Sequence, residues 1–314
     1  MMGGYNLGKT KRNVIITSLV IVCLLVGGWF GWRSYYHQHQ SSTRPQTTRV
    51  VKKRVHLVAI GDSLTYGQGD EDKNVGYVGI IKPRLQKKFH NQVTTVNYGV
   101  SGDRSDQILD RIDQQATIRQ HLHQADIIVM TVGGNDLMQS LQKNLTTNST
   151  KSLNRDIDNA GDTYQKKLQR LFSTVRKQNK TAPIFVMSIY NPVYTYFPQV
   201  DSINNSISKW NHITKSTLQG YGPAYFVDIN HLMSYGQYKT KRQRQQLIKS
   251  SEQANSGQTS QKQLVSIMNK RDQNLNKYIS TDDNFHPNHL GYRQMTQRLF
   301  KAMVKHDGFE YQKR

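Results

Sequence analysis

Short apolar runs recur along residues 55–230, separated by stretches in which apolar positions return every third or fourth residue. The runs VHLVAIG (55–61), VTTVNYG (93–99), DIIVMTVG (126–133), PIFVMSIY (183–190) and AYFVDIN (224–230) are β-branched, aromatic and almost continuously apolar. Such runs predict strands covered on both faces. Between them, Val78, Ile81, Leu85 and Phe89 mark a helix over 75–90. Ile108, Leu109, Ile112 and Ile118 mark another over 105–123, and Tyr164, Leu168, Leu171, Phe172 and Val175 a third over 156–179. Alternating strands and helices predict an α/β domain: a parallel sheet with helices on both faces, in three α/β/α layers. Ligands of such sheets bind outside the carboxyl ends of the strands, so the chemistry is to be sought just after each strand.

One apolar run is of another kind. Val14 to Trp32 holds 19 residues without a charge, which at 1.5 Å per residue is long enough to cross a bilayer core. Trp29, Phe30 and Trp32 stand at one end, where aromatic rings favour the interface. Val26-Gly27-Gly28 is a weak cleavage site, and Val22 before Cys23 does not suit a lipoprotein signal. The run therefore reads as an uncleaved anchor. The chain divides into a flank (1–13), the anchor (14–32), a basic linker (33–54), a domain (55–307) and a tail (308–314). Lys9, Lys11 and Arg12 precede the anchor; Arg33, Arg44, Arg49, Lys52, Lys53 and Arg54 follow it. Counting Lys and Arg does not orient it, but a short flank and a long domain fit a single-pass protein of the cell membrane with the domain extracytoplasmic. The linker would lie against anionic headgroups or serve as a solvated spacer.

Among the 314 residues Lys and Arg number 43 against 21 Asp and Glu, a net charge of +22, and 36% are hydrophobic. The mean hydropathy is −0.70. A single Cys excludes a disulfide framework and a thiolate metal cluster. The charge invites a nucleic-acid reading, yet no zinc-finger spacing, aromatic RNA-binding strand or helix-turn-helix pattern supports it. Anionic lipid or an anionic cell-wall polymer suits the charge as well. Residues 239–277 form a basic insertion with nine basic and two acidic residues, densest at Lys239, Lys241, Arg242 and Arg244. Leu264, Ile267, Met268 and Leu275 hint at a helix there. The segment is a cap, a polyanion-docking face or a solvated excursion.

Four polar, glycine-punctuated segments fall where chemistry is expected: GDSLTYG (61–67), NYGVSGD (97–103), GGND (133–136) and, near the C-terminus, DNFHPNHLGY (283–292). Ser63 sits in a strand-to-helix turn, where its hydroxyl can enter the crevice and its amide can donate from a helix N-terminus. It could equally be a helix cap. A serine nucleophile needs a base. His286 can supply one, and Asp283, three residues earlier, can fold back to orient the imidazole. His289 is the rival base and Asp282 the rival acid. Gly102 and Asn135 can donate to an oxyanion from a backbone and a side-chain amide, although Gly102, like Gly99, could be a turn glycine and Asn135 a cap. Asp62 and Asp136 read as acceptors for loop amides, and His212 and His231 as surface or packing residues.

The GDS of 61–63, Gly102, Asn135 and the D-x-x-H-P of 283–287 resemble, in order, the four sequence blocks of the SGNH (GDSL-type) hydrolases. The resemblance spans about 55–307 and implies a flavodoxin-like fold with a five-stranded parallel sheet. It implies a nucleophile Ser63, a base His286, an orienting Asp283, and oxyanion donors from the Ser63 and Gly102 amides and the Asn135 side chain. No metal or organic cofactor is implied. The expectation is a membrane-anchored esterase, lipase or acylhydrolase acting on lipid or acylated cell-envelope esters, with no nucleic-acid partner. The alternative is a catalytically idle, tethered protein that holds anionic polymer or lipid. YNPVYTYFP (190–198) leaves the fourth strand at the productive edge. Its rings Tyr190, Tyr194, Tyr196 and Phe197 could wall an acyl chain or sugar, or merely pack the loop.

Overall fold

A computed structural model describes residues 26–33, 50–72, 75–143, 150–255 and 276–312. The chain divides into two units, Met1–Arg49 and Val50–Arg314. In the first, residues 26–33 are helical and exposed. The rest of the expected anchor and most of the linker lie outside the described residues. Among the described residues no helix is long and apolar enough to cross a membrane.

The second unit runs β1 (Arg54–Gly61), α1 (Ser63–Tyr66), α2 (Gly76–Phe89), β2 (Gln92–Gly99), α3 (Ser105–Gln114), α4 (Ala116–Gln124), β3 (Ile127–Thr131), α5 (Gly134–Lys143) and α6 (Thr150–Gln178). It continues with β4 (Ile184–Met187), α7 (Asp201–Leu218), β5 (Ala224–Val227), α8 (Asn230–Tyr235), α9 (Lys241–Asn255) and α10 (His289–Lys305). The five strands form one sheet in the order β2-β1-β3-β4-β5, and every neighbouring pair is parallel. The order turns back on itself between β1 and β3, the place where open α/β sheets bind ligands.

Side chains alternate across the sheet and feed two cores. Val58 and Ile60 pack with Ile108, Ile118, Leu168 and Trp210 of α3, α4, α6 and α7. Leu57 and Ala59 pack with Ile81 and Leu85 of α2 and Met295 and Leu299 of α10. Folding reaches past residue 307: Phe309 is buried, and the Lys52 amide donates to the Glu310 carbonyl at 2.7 Å.

The structure departs from the pattern in four places. The edge strands β2 and β5, expected to be covered on both faces, are mostly only partly buried. The helix expected over 105–123 is two helices, because Gln115 is extended (φ −105°, ψ 107°). Arg119 then bonds the freed carbonyls of Ile112 and Asp113. The strands expected to reach 133, 190 and 230 end two or three residues earlier, where the chain turns into the site loops. Part of the basic insertion is α9, which buries Leu247 and Ser251. Ser251 Oγ donates to the Tyr196 carbonyl at 3.3 Å. Leu264, Ile267, Met268 and Leu275 lie outside the described residues.

Candidate active site

β1 ends on Gly61, where a Cβ would lie 2.4 Å from the Thr131 carbonyl oxygen. Only glycine lets the first and third strands run this close. Asp62 then caps α1. Its Oδ1 accepts from the Leu64 amide at 3.0 Å and from Thr131 Oγ1 at 2.6 Å. Burial pushes the Asp62 carboxyl up, and these hydrogen bonds partly offset it. Capping thus falls to Asp62, leaving Ser63 as the first helical residue, only 5% exposed.

Ser63 Oγ lies 2.8 Å from His286 Nε2. His286 Nδ1 lies 2.5 Å from Asp283 Oδ2. Asp283 Oδ1 accepts the Phe285 and His286 amides at 2.9 Å each, so the three-residue spacing folds into a tight turn. A carboxylate at Nδ1 assigns the ring proton there and leaves Nε2 to accept from the serine. Burial alone would raise the Asp283 carboxyl; the hydrogen bond and charge of His286, with the two amides, outweigh it and hold the carboxyl below its ordinary range. The loop is held from outside as well. Tyr190 Oη donates to the Phe285 carbonyl at 2.8 Å, and the Ser280 amide to the His286 carbonyl at 2.7 Å. Gly69 (φ +84°) packs beneath it, where a Cβ would lie 2.8 Å from His286 Cβ.

The rival residues have other partners or surroundings. His289 Nδ1 sits 3.0 Å from the buried carboxylate of Asp70. Asp282 is exposed, and its amide donates to Ser280 Oγ at 3.2 Å. Gly99 is packed so tightly that a Cβ would lie 2.0 Å from the Tyr66 amide nitrogen, whereas Gly102 (φ +85°) faces open space.

The loops after β2 and β3 are tied together. Asn135 Nδ2 donates one hydrogen to the Asp103 carbonyl at 2.8 Å, which orients the amide and leaves its second N–H. Asp136 accepts from the Ser105 amide at 2.9 Å and from Ser105 Oγ at 2.6 Å. Like Asp62, it accepts an amide in the first turn of a helix, rather than the loop amide expected, and burial raises its carboxyl. Sequence reasoning missed Arg111. Its guanidinium reaches Asp103 Oδ2 at 2.6 Å and the carbonyls of Tyr98 and Gly61 at 3.0 Å each. It pins the Gly102 loop to the ends of β1 and β2. An arginine on an amphipathic helix resembles an ordinary solvated charge, so no local signal marks it.

A cleft of about 40 Å³ opens beside Ser63, lined among others by Asn135, Met187, Ile189, Tyr190, Pro192 and Phe285. Of the four rings singled out after β4, Tyr190 lines it. Tyr194 lies against Tyr235, centroids 4.7 Å apart. Tyr196 Oη reaches Asn284 Oδ1 at 3.4 Å, and Phe197 is buried. Among the described residues no group of three His, Cys, Asp or Glu could hold a metal ion.

Residues 59–294 match the GDSL-like Lipase/Acylhydrolase family. The chain belongs to that family. This GDSL-like family member is 29% identical over 270 residues to the uncharacterized protein YpmR of Bacillus subtilis strain 168, covering 84% of this chain and 88% of that one. It is 25% identical over 161 residues to the spore germination lipase LipC of Bacillus licheniformis, covering 51% and 74%. The crystal structure of the lipase Lip_vut3 from a goat rumen metagenome matches with a TM-score of 0.58 at 21% identity, over 79% of this chain and 97% of that one. LAE5, an alpha/beta hydrolase enzyme from a Lake Arreo metagenome, matches at 0.51 and 17%, over 80% and 95%. Structural likeness at such identities concerns the fold alone.

Proposed function

We propose that the protein is a serine ester hydrolase with Ser63 as nucleophile, His286 as general base and Asp283 as its orienting acid. The observation that carries this reading is the unbroken line from carboxylate to imidazole to hydroxyl, at 2.5 and 2.8 Å. Ser63 Oγ forms a bond to the ester carbonyl carbon as its proton passes to His286 Nε2. The carbonyl electron pair moves to oxygen, where the Ser63 and Gly102 amides and the second N–H of Asn135 stabilise it. Collapse breaks the bond to the alcohol, which takes the proton from His286. Water then attacks the acyl-serine with His286 again as base, releasing the acid and restoring Ser63.

The uncharged run of 14–32 and the basic linker support a further part of the proposal. They favour a single-pass tether at a cell membrane, with the domain extracytoplasmic and working on lipid or acylated envelope esters. The test uses a fluorophosphonate probe and a p-nitrophenyl ester. Wild-type protein should be labelled and active, and Ser63→Ala and His286→Ala should each be inactive. Wild-type-like turnover by either variant would refute the assignment. Folded wild-type protein that takes no label would favour an idle binding protein instead.

A further inference from the structure

We infer that the cleft beside Ser63 is a short-acyl slot, which admits an acetyl or propionyl group and excludes long chains. This rests on the ester-hydrolase reading and narrows its substrate class. Leu64, Val132, Met187, Ile189 and Pro192 give the slot an apolar lining, suited to a methyl rather than a charged group. Its room is about 40 Å³. An apolar cavity of about 150 Å³ takes benzene, with six carbons. By proportion the slot holds one or two carbons beyond the carbonyl.

The wall cannot easily yield to a longer chain, because segment 188–193 is pinned at almost every residue. The Ser188 amide donates to the Val227 carbonyl at 3.0 Å. Asn211 grips Ile189 on both sides: its Oδ1 accepts the Ile189 amide and its Nδ2 donates to the Ile189 carbonyl, each at 2.9 Å. Tyr190 is tied through its hydroxyl to the Phe285 carbonyl at 2.8 Å. The Asn191 amide donates to Ser234 Oγ at 2.8 Å, and its Nδ2 to Asn204 Oδ1 at 2.9 Å. Widening the slot would break several of these buried or partly buried bonds together. Met187, one of its lining residues, ends a strand paired on both sides, with Thr131 and Val227 opposite it.

The acyl group, rather than the alcohol, belongs in this slot for a chemical reason. The acyl group occupies the site in both half-reactions, bonded to Ser63 Oγ from the end of the first until water breaks that bond in the second, whereas the alcohol must leave and water must enter. A walled recess suits the group that stays. The Val100–Gly102 stretch is exposed, which leaves a large alcohol carrier unhindered on that side.

The experiment is a chain-length series with the full-length protein, using p-nitrophenyl esters from acetate to laurate. A second series varies the alcohol of acetate esters from p-nitrophenol to 4-methylumbelliferone and naphthol. The expected kcat/KM is highest for acetate or propionate and at least about 100-fold lower by octanoate, since one methylene too many in a tight pocket costs roughly 10–200-fold. Met187→Ala, or Ile189→Ala should the first fold poorly, should raise the hexanoate-to-acetate ratio at least about tenfold. Activity that rises toward octanoate or laurate, with Ser63→Ala dead, would overturn the slot and leave the hydrolase standing. Tolerance of every acyl length with collapse on the bulkier alcohols would place the alcohol in the slot and overturn the inference. No hydrolysis of any ester by folded protein would remove the reading beneath it.

Discussion

Arg111→Ala removes a group that joins three separate stretches of chain. The guanidinium bonds the Asp103 carboxylate and the carbonyls of Tyr98 and Gly61. With alanine there, Asp103 loses its cation and the carbonyls of Tyr98 and Gly61 each lose the arginine donor, although Gly61 still accepts the Val100 amide at 3.0 Å. Breaking a fully buried ion pair from one side costs about 3–5 kcal/mol. Here the two side chains are 16% and 11% exposed, so solvent compensates in part and about 2–4 kcal/mol is the appropriate range. For a domain of this size each kcal/mol moves Tm by about 2–4 °C, so a fall of about 4–16 °C is expected. The same change frees the loop that carries Gly102. Losing one oxyanion donor typically costs about 10²–10³ in kcat, with KM little affected because the interaction strengthens in the transition state. Arg111→Lys restores a charge beside Asp103 but not the planar fork that also reaches two carbonyls, so it should recover part of Tm and little of kcat. Differential scanning fluorimetry and p-nitrophenyl acetate kinetics, measured well below each variant's Tm, separate the two effects. An unchanged Tm in Arg111→Ala would refute the clamp. A lowered Tm with wild-type kcat would show that Arg111 does not position the Gly102 loop.

Further expectations concern the acid, a buried carboxyl and two glycines. Asp283→Asn should lower kcat by about 10⁴, the loss known for the same change in a serine-protease triad, with little change in KM; activity within tenfold of wild type would contradict the orienting role. Burial pushes Glu310 from 4.5 up to about 7, only partly offset by Asn91. The folded state therefore holds this proton more tightly than the unfolded chain, and Glu310 costs stability increasingly as pH rises from about 4.5 to 7. Glu310→Gln should raise Tm at pH 8 and change it little at pH 4.5; an equal shift at both would contradict the titration. Gly99→Ala places a Cβ 2.0 Å from the Tyr66 amide nitrogen and should not yield folded protein. Gly102→Ala meets no atom and strains only φ, at about 1–2 kcal/mol, so it should fold with a modestly lower Tm. Soluble yield and thermal melts distinguish the pair.

The sheet was legible in the sequence because its central strands β1, β3 and β4 are buried on both faces, which writes itself as an apolar run, while the partly exposed edge strands β2 and β5 still carry β-branched and aromatic residues. Ser63, Asp283 and His286 were legible because each sits in a short segment whose residue types are unusual together, and the Asp283–His286 contact is local. Other features left no such mark. Gln115 breaks a helix although it is neither proline nor glycine. The strand ends at Thr131, Met187 and Val227 depend on where neighbours stop pairing, not on any change in hydropathy. Helix α9 arises from a Lys- and Gln-rich segment whose buried face includes Leu247 and Ser251. Tyr190, Tyr194, Tyr196 and Phe197 are alike as a string, yet only Tyr190 lines the cleft. That choice belongs to Asn211, Ser234 and Asn204, which fix the path of the loop. Local spacing thus determined the elements and nominated the reactive groups, because helix and strand periods and a three-residue turn are short-range geometry. Whether Ser63 meets a histidine 223 positions away, and how much room remains beside them, was decided only when the parallel sheet drew distant loops to one edge.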